Sequence, residues 1–203
     1  MTPRRLSQSA LVAIGLLLAG CNLVPEQTRI ALYELPSHRL EPAPGEATRA
    51  TLRLETPHTS GLLDGSRILV VPQPHQPRAY EGARWADDMP QLIRNHLLDA
   101  FQDDGRIVHL VPDDSAVSAD LALLSDLRVF HAEYRDGLPE ATLRLDARLV
   151  DTRSQRLVAS RRFEQRQRAE SEAIPSVVEA FGRVADRLAR EMVDWTVEQM
   201  ERR

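Results

Sequence analysis

The sequence predicts an α/β fold of the α+β type, in which a mixed, largely antiparallel sheet is covered on one side by two amphipathic helices. Three observations predict it. Between Asp120 and Gln165 three strand patterns follow one another without a helix. The middle one alternates Ala141, Leu143, Leu145, Ala147 and Leu149 with Thr142, Arg144, Asp146 and Arg148, the two-residue period of a strand with one wet face. Two other segments repeat apolar residues at three and four: Met89, Leu92, Ile93, Leu97, Ala100 and Phe101, and then Val177, Phe181, Val184, Leu188, Met192 and Trp195. Each defines a helix with one buried stripe. The order of strands, helix, strand, meander and helix lays both helices on one sheet.

The elements follow in order. Ile30 to Leu35 reads as a first strand, and Arg39 to Thr48, with Pro42, Pro44 and Gly45, as a loop. Ala50, Leu52 and Leu54 alternate with Thr51, Arg53 and Glu55 as a half-buried strand. The apolar run Ile68 to Val71 is expected near the centre of the sheet. Pro72, Pro74 and Pro77 are expected to end it, because proline cannot donate to a ladder. The stretch from Pro72 to Pro77 then reads as a stiff connector or a docking loop. Asp88 is placed to cap the first helix, with Gln91 at capping-box spacing and Pro90 in the first turn. Gly105 stops that helix, Ile107 to Val111 makes a short strand, and Pro112 to Ser118 is a polar loop. The strand from Asp120 to Tyr134 is long enough to bend or carry a bulge. Asp136-Gly137 is a hairpin signal, and Arg156 to about Gln165 completes the meander. The closing helix runs from Pro175 to Met200. Its polar face sets Glu179, Arg183, Asp186 and Arg190 with opposite charges four apart, a helix-supporting spacing.

The first twenty residues are excluded from this fold. Arg4 and Arg5 precede the apolar or small residues Ala10 to Ala19, then Gly20 and Cys21. An apolar run this short cannot cross a hydrocarbon core of about 30 Å, which takes about 20 helical residues, so the layout is that of a signal peptide. Leu18-Ala19-Gly20-Cys21 further resembles the lipobox of bacterial lipoproteins. That resemblance implies cleavage before Cys21 and acylation of its thiol, and two or more acyl chains give stable membrane anchoring. The organisation expected is a leader over residues 1–20, a lipidated tether over residues 21–29 and a single domain over residues 30–203. Cys21 is the chain's only cysteine, so its acyl groups are the only attached group expected, and no thiol is left for a disulfide, a metal site or a nucleophile in the domain.

Every basic residue of the chain is arginine. Removing Arg4 and Arg5 with the leader leaves 24 arginines against 30 carboxylates, a net charge of −6. A net negative domain is poorly suited to nucleic acid or to lying on anionic headgroups.

One family is similar in the order and spacing of its features. Tyr80-Glu-Gly-Ala-Arg-Trp85-Ala-Asp-Asp-Met-Pro90, running into Leu92 and Leu97, resembles the Tyr, Trp, Pro and amphipathic-helix signature of the ABC-type transport auxiliary lipoproteins, the family that includes the paraquat-inducible operon lipoprotein. The likeness extends through Leu127 to Phe130, Leu143 to Asp151, Val158 to Phe163 and the closing helix with Trp195. It implies a non-enzymatic outer-membrane lipoprotein facing the periplasm. Its expected partners are the outer-membrane lipid that holds the anchor and a mammalian-cell-entry (MCE) domain protein of an ABC lipid transporter, with a homo-oligomer as a further expectation. In the sorting rule this signal resembles, Asp after the acylated cysteine retains a lipoprotein at the inner membrane, and here Asn22 follows Cys21. The alternative is a structural or assembly lipoprotein of the envelope without a transport role.

Candidate site residues are few. Tyr80 and Trp85 have two readings: partner contact, since aromatics anchor interfaces, or packing at the helix entry. The six histidines have no metal-ligand spacing, and His96 lies on the first helix's apolar stripe as a core or boundary residue. The doublets Asp87-Asp88, Asp103-Asp104 and Asp113-Asp114 have two readings, calcium or paired acid–base chemistry and capping and solvation, and their placement at helix ends or in loops favours the second. No Gly-x-Ser-x-Gly turn or glycine-rich phosphate loop is present, so no catalytic residue is expected. Leu98 faces away from its helix's main stripe, to be covered by another element or by a partner, or left as a single exposed apolar residue.

Overall fold

The computed structural model describes residues 29–202. The leader, Cys21 and all of the tether but Arg29 lie outside the described residues. The chain forms β1 (Ala31–Tyr33), β2 (Leu52–Leu54), a 3-10 turn (Gly61–Leu63), β3 (Arg67–Gln73), β4 (Gln76–Trp85), α1 (Met89–Asp104), β5 (Leu110–Pro112), β6 (Leu121–Arg135), β7 (Leu138–Asp151), β8 (Arg156–Arg168) and α2 (Ile174–Glu201). The eight strands make one open mixed sheet with both helices on one face, the fold class the residue patterns predict.

The meander β6–β7–β8 is its frame. β6 and β7 pair from Leu121↔Asp151 to Arg135↔Leu138. Asp136 and Gly137 close the hairpin at φ of 48° and 80°, both positive as a type I′ turn requires. The register breaks between Leu127 and Val129, a bulge that bends the fifteen-residue β6. Alternation then sorts β7: Ala141, Leu143, Leu145, Ala147 and Leu149 are buried toward the helices, while Arg144, Asp146 and Arg148 stay on the wetter face.

The opposite edge of β6 serves two strands. β2 pairs in parallel with Leu121 to Leu123, and β3 with Ala132 and Glu133. Between them stands the bridge His58↔Asp126. The sheet therefore forks into an arm of β2 and β5 and a wing of β3, β4 and β1. The core sits where the wing meets α2. Trp85 of β4 stacks on Phe130 of β6 with centroids 5.5 Å apart, and Phe181 of α2 meets both rings edge-on at 5.4 and 4.8 Å. Full burial of such side chains stabilises the fold by about 1.5–3 kcal/mol each.

Four expectations are corrected. The prolines after Val71 do not end the strand. β3 continues to Gln73, turns through Pro74 and His75, and returns as the ten-residue β4. Pro72 and Pro77 fit because the ladder is irregular between Val70↔Arg78 and Gln73↔Gln76, so their missing donors fall in a disrupted stretch. Asp88 occupies the N-cap without a side-chain cap bond, so no capping box forms. The backbone N–H of Met89 donates instead to the Gly65 carbonyl at 3.1 Å. Only Leu110–Pro112 pairs as a strand where Ile107 to Val111 is expected, Ile107 making one bridge to Thr48. The charges four apart on α2 do not pair with one another: Arg183 reaches Glu170 at 3.6 Å, and Asp186 is taken by two histidines. Gly105 does close α1 in the left-handed region at φ 78°, its N–H donating to the Phe101 carbonyl.

Candidate functional site

One polar site holds down the strap between β1 and β2. The strap crosses both helices. The His38 Nδ1 lies 2.7 Å from Asp186 Oδ2, and the backbone N–H of His38 donates to Oδ1 at 3.3 Å. His96 Nε2 of α1 lies 3.2 Å from the same Oδ1. Burial pushes the Asp186 carboxyl up, but hydrogen bonds from His96 and then His38 outweigh it and hold the group below its ordinary value. His96 is 7% exposed, so it is a satisfied boundary histidine. Asp103 receives the Leu40 N–H at 3.1 Å and Arg39 at 3.4 Å, and Asp104 binds Arg106 at 2.7 Å. Thus Asp103 and Asp104 clamp the strap and its surroundings, where the sequence reads only caps and solvated ends. Asp113 similarly holds Arg94 at 2.7 Å and the Thr56 N–H at 3.0 Å. The partners in this site are up to 148 residues apart, and no local spacing announces them. Gly182, a glycine inside an apolar helical stripe, is the one legible signal: a Cβ there would meet the Pro36 backbone.

Tyr80 and Trp85 both lie on β4. Trp85 is 1% exposed and sits inside the aromatic core, so its partner-contact reading is corrected: a side chain this buried packs and cannot reach a partner. Tyr80 is half-buried, and its hydroxyl lies against Tyr134. Burial, followed by Tyr134 and Glu172, pushes its phenol well above the ordinary range. Leu98 is also half-buried against the core.

The sheet face away from the helices carries two kinds of surface. On the meander, arginines and carboxylates stand opposite one another. Arg144 meets Glu164 at 2.6 Å, and Arg162 meets Asp146 at 2.6 Å. Hydrogen bonds from Arg144 and then Arg166 hold the Glu164 carboxyl at about 2. Beside the wing, Leu62, Leu63, Leu69, Val71, Pro77 and His131 line an apolar groove of about 340 Å³ with Glu133 at its rim. His131 Nε2 lies 3.0 Å from Glu133 Oε1, and this bond lowers the Glu133 pKa. Among the described residues no group of three or more His, Asp or Glu can hold a metal ion, and no helix is long and apolar enough to cross a membrane.

A protein from Xanthomonas campestris whose crystal structure is known is 29% identical, with a TM-score of 0.79 over 85% of this chain and 97% of its own. A second solved structure, 16% identical with a TM-score of 0.66 over 83% of this chain and 99% of its own, shares the fold. An uncharacterised protein of Bradyrhizobium diazoefficiens is 32% identical over 149 residues, 73% of this chain. The chain spans 40% of that relative's length. The model of the ABC-type transport auxiliary lipoprotein component matches residues 33–193, from β1 through most of α2. The chain therefore belongs to the family of ABC-type transport auxiliary lipoproteins.

Proposed function

We propose that this protein is a non-enzymatic outer-membrane lipoprotein, acylated on Cys21, that serves an MCE-type ABC system moving lipid between the inner and outer membranes. The observation that carries the reading is the family match over residues 33–193, which begins twelve residues beyond the lipobox cysteine. Membership gives the transport-auxiliary role. The lipobox supports the anchor, and Asn22 in place of Asp supports the outer membrane.

Length supports a partner that reaches across. The eight residues from Asn22 to Arg29 extend at most about 26–29 Å, and a compact domain of this size has a radius of gyration of about 16 Å. Anchor and domain cannot cross a periplasm, so the MCE-domain protein is the component expected to meet it. The test is a pull-down of the full lipoprotein from crosslinked membranes with identification of partners by mass spectrometry. Recovery of an MCE-domain protein with its permease or ATPase is the expected result. Recovery of envelope-assembly proteins without any transporter component overturns the reading.

A further inference from the structure

The wing of the sheet breaks the charge rule that the meander keeps. Arg67 of β3 and Arg84 of β4 are direct partners in an antiparallel pair. Like charges placed so are destabilising. Neither has a carboxylate within 4.0 Å among the described residues, and both are exposed. Leu32 of β1 is the register partner of Arg84 and is 68% exposed. Because Ala83 and Trp85 point into the core, Leu32, Arg84 and Arg67 form one row across three strands on the face away from the helices. Ile30, 50% exposed, precedes that row on the chain. On the meander the same kind of row alternates arginine with carboxylate, as in Arg144 opposite Glu164. The wing's row is therefore cationic and apolar, with no carboxylate of the described residues in ion-pair contact with it.

We infer that this row, Leu32 with Arg84 and Arg67, is the surface by which the domain rests on the anionic bilayer that holds its own acyl anchor. The inference rests on the lipoprotein reading above. Two arguments carry it. The first is position: the tether from Cys21 ends at β1, so Ile30 and Leu32 are the first residues of the domain that the anchor can draw to the membrane. The second is charge: guanidiniums pair with phosphates, arginines near an anionic leaflet are attracted to it, and exposed aliphatic side chains beside them enter the headgroup boundary. The net charge of −6 averages this local row with the acidic remainder and hides it.

The test uses the full acylated chain carrying Leu32→Cys. Cys21 is blocked by its lipid, so the new thiol alone takes an environment-sensitive fluorophore. The protein is reconstituted into vesicles of phosphatidylcholine with one quarter phosphatidylglycerol, with some lipids bearing a spin label. Flotation with the vesicles establishes anchoring. The expected result is a blue-shifted emission quenched by the spin-labelled lipids, lost in Arg67→Glu/Arg84→Glu. A fluorophore at Val117→Cys, an exposed position in the loop before β6, stays aqueous. Circular dichroism confirms that the charge-reversed variant folds, and Arg67→Gln/Arg84→Gln replaces it if it does not. An aqueous Leu32 probe on protein that floats overturns this inference and leaves the anchor standing. Protein that fails to float overturns both. A blue shift that grows with protein concentration in the absence of vesicles overturns it in favour of a second copy of the chain.

Discussion

Gly182 of α2 lies directly beneath the Pro36 carbonyl: a Cβ built on the glycine would stand 2.7 Å from that oxygen and 2.8 Å from the proline Cβ. A single hydrogen in place of a methyl group lets the strap lie flat on the helix. Gly182→Ala should gain about 1 kcal/mol in helix propensity and lose more, because overpacking a tight site costs about 1–3 kcal/mol. Calorimetry is expected to show a lower unfolding midpoint, by about 2–4 °C per kcal/mol lost. An unchanged or raised midpoint means that the strap gives way freely.

Asp186 binds the strap through His38 and α1 through His96. Replacing it with Ala should free the strap without melting the helices. Hydrogen exchange is expected to speed up at Leu40, whose N–H is donated to Asp103, and to stay slow in the middle of α2. Uniform acceleration along the chain is the contrary result, and it would make Asp186 a part of the global core.

Glu164 supplies the clearest dependence on acid. Its carboxyl is held at about 2, against an ordinary value of 4.5. A depressed folded value contributes stability that is present above the unfolded value and lost as pH falls through the folded one. The urea midpoints of the native protein and of Glu164→Gln should therefore differ most at neutral pH and converge toward pH 2. A difference that stays constant across that range would show that the Arg144 and Arg166 contacts add nothing through ionisation.

The two aromatic residues of β4 should answer oppositely. Trp85→Ala opens a cavity between Phe130 and Phe181 and is expected to cost about 3–5 kcal/mol, read as a large drop in the denaturation midpoint and loss of near-ultraviolet dichroism. Tyr80→Phe removes a hydroxyl that lies against Tyr134 and is expected to change stability by no more than about 1 kcal/mol. A Tyr80→Phe variant of full stability that no longer captures the transporter would assign the hydroxyl to a partner.

The N-terminus is tested in cells. Cys21→Ala is expected to leave the precursor uncut by lipoprotein signal peptidase and free of acyl label, and normal processing with retained label contradicts the lipobox. In a host that retains lipoproteins by aspartate, Asn22→Asp should move the protein to inner-membrane fractions and abolish complementation of the envelope defect at unchanged expression. Full complementation by the relocated protein contradicts the bridging role.

Periodicity carried the meander, both helices and the Asp136-Gly137 turn, because each depends on contacts close in sequence or on one face repeated many times. β4 was hidden. Its segment Gln76 to Trp85 contains a proline, a glycine at positive φ and no clean alternation, and it becomes a strand only because β3 stands beside it. The strap site was hidden for another reason: His38, His96, Asp103 and Asp186 are brought together by the packing of α1 on α2, a tertiary event. The Arg67–Arg84 pair needs the register of a bulged hairpin, which residue types alone do not set.

The fork in the sheet also fixes how the protein bears a pull. β1 is held to β4 by three register pairs, whereas β6 is held to β7 by fourteen. Tension entering before Ala31 meets β1 first, then Pro36 against Gly182, then the His38–Asp186 pair, and only after the long strap does it reach β2. Under the proposed anchoring through Cys21, β1 and the strap act as a mechanical fuse in series: they yield and lengthen the leash while the meander and its helices keep their shape.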